Sequence, residues 1–289
     1  MINIGEFNNL KVVRKADFGY YLGAETGRTT DDVLLPNNSA LGKEFSVGDE
    51  VEAFIYRDSE DRVIATLKEP LASVGDIAYL EVVGGTKFGN FIDIGLDRDV
   101  LVPLKEQEYR LYEGNKYLFY IYLDKTERIA ATTKIDRYLQ SINFEDSEEI
   151  ISSKYRVGDE VTGTVYGFQT NGSAMIAVDN LYRGVILKNE YFVELKEGHE
   201  LSLRIKKIYE DGKLGLTPRK KAVDERTELE NQILEYIKEN NGFMPFNDKS
   251  SPEDIKKVFK QSKNYFKNAL GGLMKKGLIE QDENGTRLK

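Results

Sequence analysis

Two pairs of aromatic residues are set apart by type and spacing. "TKFGNFIDIG", residues 86–95, carries Phe88 and Phe91 around Gly89, and "ADFGYYLGA", residues 16–24, carries Phe18 and Tyr21 around Gly19. Successive side chains of a strand face opposite ways, so Ile92 and Ile94 share one face while Phe91 and Asp93 share the other. A face that holds a carboxylate belongs at the water, which predicts Ile92 and Ile94 buried and Phe91 substantially exposed. An exposed ring offers an apolar, polarisable surface on which an unpaired nucleobase stacks, worth about 1–3 kcal/mol per base. A duplex hides its bases, so this chemistry selects single strands. Phe18, Tyr21, Phe88 and Phe91 are therefore the candidate stacking residues, with packing between domains as the other use for such rings. A third, related stretch places Asn171 and Ala174 around Gly172 and has neither ring.

Basic residues gather elsewhere. Arg204, Lys206 and Lys207 fall in one strand-like run, with Arg204 and Lys206 on one face by alternation, and Arg219, Lys220 and Lys221 follow it. Further along come Lys256, Lys257, Lys260, Lys263, Lys267, Lys275 and Lys276; a tight turn near Ser262 would set Lys260, Lys263 and Lys267 on one side. Lys and Arg supply the sequence-independent, salt-sensitive part of polyanion binding. Lysine is the majority, which favours point-charge attraction to phosphate over bidentate reading of bases. A solvated helix face is the ordinary alternative. Residues 1–153 hold 17 basic and 28 acidic side chains, whereas residues 154–289 hold 24 and 21, so the net −8 conceals a basic second half. A polyanion is expected to be gripped mainly there.

Most catalytic chemistry lacks its residues. There is no cysteine and one histidine, His199 in "KEGHELSLRI", so a zinc site of the usual kind cannot be built and a histidine-based triad has no evident nucleophile. Asp93, Asp97 and Asp99 lack the glycine and distal glutamate of a calcium loop and read as a solvated loop. No phosphate-binding P-loop occurs, and the glycine-rich "VVGGTKFGN" leads into a strand where such a loop leads into a helix. The expectation is a protein without catalysis, metal or cofactor. No apolar run is long enough to span a membrane, and the start "MINIGEFNNL" does not read as a signal peptide. A cytoplasmic location is expected.

The elements that must position these residues repeat. "VGDIAYLEVVGGTKFGNFIDIG…DVLVPLKE…KYLFYIYLDKTERIAATTK" is echoed before it by "NLKVVRKADFGYYLGA…DVLLPNNSA…VGDEVEAFIYRDSEDRVIATLKEP" and after it by "VGDEVTGTVYGFQTNGSAMIAV…YRGVILKNE…GHELSLRIKKIYEDGKLGLTPRK". "DSEDR", "DKTER" and "YEDGK" are short polar hairpin connections. Five short strands per unit without a long helix describe a small closed barrel. Residues 222–289 differ: Leu229, Ile233, Tyr236 and Ile237 recur at helical spacing, a Ser-Pro start opens a second helix, and Phe266, Leu270 and Leu273 mark a third that stops at Gly277. "LIEQDENGTRLK" closes as two strands around "ENG", completing a winged helix. The predicted class is mainly β with a C-terminal α+β domain: five-stranded barrels over 1–72, 73–140 and 153–221, then a winged helix over 222–289.

"KFGNFIDIG…DVLVPLKE" resembles the S1-type OB-fold repeat of ribosomal and RNA-decay proteins. The resemblance covers residues 10–70 and 74–135, and 157–220 more weakly. Many such repeats carry a histidine after the aliphatic cluster; here Pro36, Pro103 and Lys188 stand nearby. The run "SPEDIKKVFKQSKNYFKNALGGLMKKGLI" after three such repeats is similar to the C-terminal domain of the conserved virulence factor B family of bacterial regulators, where a proline at that place is usual. That resemblance implies single-stranded RNA as partner and a role in post-transcriptional control of bacterial gene expression, virulence genes included. A DNA-binding transcription regulator, a ribosome-associated factor, a partner of the RNA-decay machinery and a nuclease remain as alternatives, the last without a domain left to hold its chemistry. RNA target, base preference and oligomeric state are not specified by the sequence.

Overall fold

A computed structural model of the protein describes residues 2–24, 26–142, 155–219 and 222–289, the last stretch without the side chains of 222–225. Three closed five-stranded barrels follow one another, then a helical domain with a small sheet. Barrel 1 comprises β1 (Phe7–Ala16), β2 (Gly19–Leu22), β3 (Val33–Pro36), β4 (Glu50–Arg57) and β5 (Val63–Thr66). Barrel 2 comprises β6 (Ile77–Thr86), β7 (Gly89–Ile92), β8 (Val100–Pro103), β9 (Lys116–Leu123) and β10 (Ile129–Thr132). Barrel 3 comprises β11 (Glu160–Phe168), β12 (Ala174–Val178), β13 (Tyr182–Ile186), β14 (Glu200–Ile208) and β15 (Leu214–Thr217). Each closes in the order first, second, third, fifth, fourth, with the third and fifth strands parallel.

One register recurs. Val12 pairs with Leu22, Val82 with Ile92 and Val165 with Ile176, and immediately beyond each pair the long first strand shifts register at a β-bulge. A bulge bends and twists the strand, which lets five strands close on themselves. The paired valines and their partners lie at the centre of each barrel, all at most 1% exposed. Ile92 and Ile94 are buried as the alternation requires, at 0% and 1% exposure.

The turn between the first two strands sets the barrels apart. In barrels 1 and 2 Ala16 pairs with Gly19 and Thr86 with Gly89, so the turns are Asp17-Phe18 and Lys87-Phe88. These glycines are obligatory because the next strand comes close: a Cβ on Gly89 would stand 2.2 Å from the Val102 carbonyl oxygen, and one on Gly19 2.3 Å from that of Leu35. Room for the protein's own strand, rather than for a ligand backbone, explains the glycine of the motif. In barrel 3 the turn is longer, closed by Gln169 N–H to Ser173 O at 2.9 Å, and Gly172 lies within it at φ +78°. Matching the barrels from the bulge puts Met175, not Ala174, in the place of Tyr21 and Phe91, with Ser173 in the place of the strand glycines. The sequence correspondence of Asn171 and Ala174 with the aromatic pairs is thus one residue out of step.

Barrels 2 and 3 are locked together. The segment after β10 makes a short turn over Asp136–Tyr138 and carries Ile135 and Leu139 into a cluster with Leu118 of barrel 2 and Tyr166 and Ala177 of barrel 3, Met175 packing against its edge. Tyr166 donates to Asp136 Oδ1 at 2.6 Å, and burial first, then that carboxylate, pushes its phenol upward. Arg183 donates to the Asp136 carbonyl oxygen, and Gln140 bridges to Tyr182. Tyr79 of barrel 2 donates to the Gly198 carbonyl at 2.7 Å; a side chain at Gly198 would meet Lys116 O at 2.3 Å, so this contact too needs glycine.

The last domain is a winged helix. Helix α1 (Ala222–Glu239) packs Leu229, Ile233 and Ile237 against α2 (Pro252–Phe259) and α3 (Lys263–Lys275), which contribute Ile255, Phe259, Phe266, Leu270 and Leu273. Ser251 caps α2 by accepting from Asp254 N–H, with Pro252 in the first turn, and Ser262 caps α3 by accepting from Tyr265 N–H. Strands β16 (Phe243–Met244), β17 (Ile279–Gln281) and β18 (Thr286–Leu288) form the sheet, in the order β16, β18, β17. Lys260 ends α2 in the left-handed region at φ 53°, so it does not extend the row that Lys263 and Lys267 make on α3.

Candidate nucleic-acid interface

The outward faces of β2 and β7 place the aromatic pairs alike. Phe18 and Phe88 sit at the turn tips, 58% and 67% exposed. Tyr21 and Phe91 lie three residues on; both are half-buried, so Phe91 is less open than alternation alone suggests. Its register partner Leu101 and, for Tyr21, Leu34 stand beside the rings and cover their flanks. The Phe18 and Tyr21 rings meet edge to face with centroids 6.2 Å apart. The guanidinium of Arg14 lies 3.6 Å from the Tyr21 ring centre, and Lys87 Nζ lies 5.0 Å from that of Phe88. Each platform is thus an exposed ring, a second ring seated in apolar side chains, and a cation within reach of phosphate.

Each platform opens into a cleft. The one in barrel 1, about 760 Å³, contains Phe18, Tyr21, Leu34, Ile64, Arg57 and Arg62. The one in barrel 2, about 310 Å³, is lined by Phe91 without Phe88, together with Leu101, Tyr122, Arg98, Lys105 and Arg128. Arg14, Arg57, Arg98, Lys105 and Arg128 do not stand out in the sequence, because they are scattered along an acidic half; only the closed barrels bring them beside the rings.

Barrel 3 shows the opposite arrangement. Met175 is half-buried against the cluster around Ile135 and Leu139, so the face that is open in barrels 1 and 2 is covered here by the chain's own linker.

The basic residues of the second half are drawn largely into internal contacts. A bulge between Ile205 and Lys207 breaks the alternation of β14, leaving Lys206 and Lys207 both exposed and Arg204 half-buried. Lys206 Nζ is 2.6 Å from Glu190 Oε1, Thr217 donates to Glu190 Oε2 at 2.9 Å, and Arg219 Nε donates to the Glu190 carbonyl oxygen at 3.1 Å. Burial alone would raise Glu190, but the hydrogen bonds from Lys206 and Thr217 outweigh it and hold its carboxyl below the usual range. Arg219 also lies 4.8 Å from the Phe192 ring and 5.3 Å from that of Tyr265, joining barrel 3 to the winged helix. Arg204 donates to Arg219 O at 3.3 Å, and Lys207 lies 3.8 Å from the Tyr209 ring. Lys220 and Lys221 lie outside the described residues.

A Thr-x-Lys/Arg repeat marks the barrel exits. Thr66, Thr132 and Thr217 end the fifth strands, buried, and each hydroxyl accepts from the amide of Lys68, Lys134 or Arg219 two residues on. Those cations pair with Asp97, Glu106 and Glu190, so the Asp97 of the acidic loop is an ion-pair partner. Among the described residues no cluster of His, Cys, Asp or Glu is arranged to hold a metal.

The winged helix carries an open cleft between α1 and α3, about 860 Å³, with Arg226, Lys267, Lys275 and Lys276 along it and the buried Glu230 at its base. Glu230 accepts from Arg226 Nε at 3.1 Å and Lys276 Nζ at 2.5 Å. Lys267 and Lys275 are exposed, whereas Lys263 is half-buried and reaches Lys249 O at 3.3 Å. No helix among the described residues is long and apolar enough to cross a membrane.

Comparison with known proteins agrees with this architecture. A model of the S1 domain matches residues 4–68 and 74–134, barrels 1 and 2, and a model of the CvfB-like winged helix domain matches residues 231–288. The uncharacterized protein YitL of Bacillus subtilis is 34% identical, with 98% of this chain and 92% of the relative covered. Conserved virulence factor B of Staphylococcus epidermidis strain ATCC 35984 is 29% identical, covering 96% of this chain and 91% of its own. A crystal structure described as a multidomain protein with nucleic acid binding domains, from Streptococcus pneumoniae, is 27% identical, covers 99% of this chain and 98% of its own, and superposes with a TM-score of 0.51. With S1 domains followed by a CvfB-like winged helix, and relatives similar over nearly their full length, the chain belongs to the conserved virulence factor B family.

Proposed function

We propose that the protein is a nucleic-acid-binding protein without catalysis, that its ligand is single-stranded RNA, and that it acts in post-transcriptional control of gene expression. The observation that carries the reading is the pair of open platforms, Phe18 with Tyr21 and Phe88 with Phe91, presented at one place on two barrels with cations beside them. Stacking of unpaired bases needs an exposed π-face and a nearby positive charge, and a duplex offers neither its bases nor a shape these small faces admit. The solved relative's description as a protein with nucleic acid binding domains supports the class of ligand. The staphylococcal relatives' name supports a link to virulence. Phosphate contacts from the second half complete the reading, through Lys207, Lys267 and Lys275, with Lys260, Lys263 and Lys276 at their margin. Lys206 is committed within barrel 3 to Glu190, Arg204 donates to the Arg219 carbonyl oxygen, and Arg219 alone of the three reaches across to the winged helix, at the ring of Tyr265.

Filter binding of homopolymeric RNAs to the full chain, competed by single-stranded RNA and by duplex DNA, tests the reading. Displacement by the single strand alone supports it; displacement by the duplex with no effect of Phe88→Ala/Phe91→Ala points to the winged helix as a DNA reader instead. Incubation of the RNA with and without magnesium checks that it stays intact.

A further inference from the structure

We infer that the platforms of barrels 1 and 2 are two ends of one single-stranded track joined at Arg57, so that one strand, rather than two, occupies both. This rests on the RNA-binding reading above and adds a subsite and a path to it.

Arg57 closes β4 of barrel 1, yet it lines both clefts, the one that holds Phe18 and Tyr21 and the one that holds Phe91. Its Nη2 is 2.6 Å from Glu127 Oε2, on the β9–β10 hairpin of barrel 2, and its Nη1 donates to Asp61 O at 2.8 Å. Its Nε is buried with no hydrogen-bond partner, so one donor of the fork is unspent. Arg128, beside Glu127, pairs back with Asp61 of barrel 1, and Arg98 donates to Asp58 O at 2.6 Å. The boundary between the two clefts is therefore a band of three guanidinium groups contributed by the hairpins of both barrels.

A sugar–phosphate backbone leaving Tyr21 toward Phe91 crosses this band. Three acids at this boundary are already paired with cations: Asp58 with Arg62, Asp61 with Arg128, and Glu127 with Arg57. Glu127 has a side chain 64% exposed and sits at a hairpin tip, so a phosphate can replace it on the guanidinium with no burial of a bare charge. Tyr56, next to Arg57, lines the barrel 2 cleft as well. Its phenol is pushed up to about 12 by burial and by Asp97 and Asp58, so it remains a hydrogen-bond donor at neutral pH.

The test counts strands. Oligouridylates of about 4 and about 12 nucleotides, short and long for one barrel of this kind, are titrated into the full chain by calorimetry, with native mass spectrometry for stoichiometry. A shared track takes two short oligomers or one long one per chain, and the long one binds about a hundredfold or more tighter, because its second platform is engaged intramolecularly. Arg57→Ala weakens the long oligomer far more than the short one and makes the salt slope shallower by about 0.7 for the one phosphate it no longer neutralises. Glu127→Gln, a surface change that releases Arg57 from its partner, tightens the long oligomer. Two long oligomers per chain, or a long oligomer indifferent to both variants, overturns the track while leaving two separate platforms standing. Short-oligomer affinity unmoved by Tyr21→Ala and by Phe91→Ala removes the platforms themselves, and the track with them.

Discussion

Barrels 1 and 2 on one side and barrel 3 on the other share a strand order, a bulge and a core, and differ in what lies on one outer face. Where the first two carry Tyr21 and Phe91 in open clefts, the third carries Met175 under Ile135 and Leu139. The linker over that face makes it a joint: Asp136 binds Tyr166 and Arg183, and Gln140 extends the sheet at Tyr182. The same five-stranded unit therefore leaves this face open to a cleft in two copies and packs it against the linker in the third. The difference also accounts for an asymmetry of charge. Arg14 and Lys87 lie against the rings of the open faces, at Tyr21 and Phe88, whereas Lys206 and Arg219 of barrel 3 are held by Glu190.

Ile135 is fully buried between the barrels, and Ile135→Ala is expected to destabilise the protein by about 2–5 kcal/mol, the range for deleting a buried aliphatic side chain. Urea denaturation of the full chain measures it, with RNA affinity of the folded variant unchanged. Phe88→Ala/Phe91→Ala should act on binding instead: RNA binding by filter assay weaker by about 1–3 kcal/mol per stacked base removed, with little change in salt dependence. Met175→Ala, at the matching place in barrel 3, leaves RNA affinity where it was.

A smaller effect belongs to Glu190. Its carboxyl is held below the ordinary value of 4.5, so its contribution to stability is full above that value and is lost as pH falls through the depressed one. Glu190→Gln is expected to cost about 1–2 kcal/mol at neutral pH, because the hydrogen bonds to charged partners weaken while the exposed Lys206 is screened by water. Thermal melts from pH 7 down to pH 3 should show the wild type and the variant converging at the acid end. The smallest change concerns the winged helix. Neutralising Lys267 and Lys275 together should make the slope of log affinity against log salt shallower by about 0.7 for each phosphate left without its cation, for all RNA sequences alike.

The repeats, the alternation from Phe91 to Ile94 and the helix caps of the last domain were legible because each follows from local chemistry: Ile92 and Ile94 by period two, Ser251-Pro252 by capping, Gly277 by its left-handed turn. Met175 was not, for a specific reason. Aligning on the glycine equates Gly172 with Gly89, but one is a turn residue and the other a strand residue facing a carbonyl, and the longer turn shifts everything after it by one. The pairing of Lys206 on Glu190 was hidden by a bulge in β14 and by the sixteen-residue separation of the partners. Arg57 was invisible as a site residue because its meaning depends on a hairpin seventy residues away. Periodicity reports which face a side chain takes; it is silent on what comes to rest against that face.

Hydrogen exchange of the full chain with and without saturating single-stranded RNA distinguishes the open faces of barrels 1 and 2 from the covered face of barrel 3. Slowed exchange at the platform strands, residues 18–22 and 88–92, with 174–178 of barrel 3 unchanged, is the result predicted from open faces on two barrels and a covered one on the third. Protection at 174–178 with 18–22 and 88–92 unaffected would contradict it.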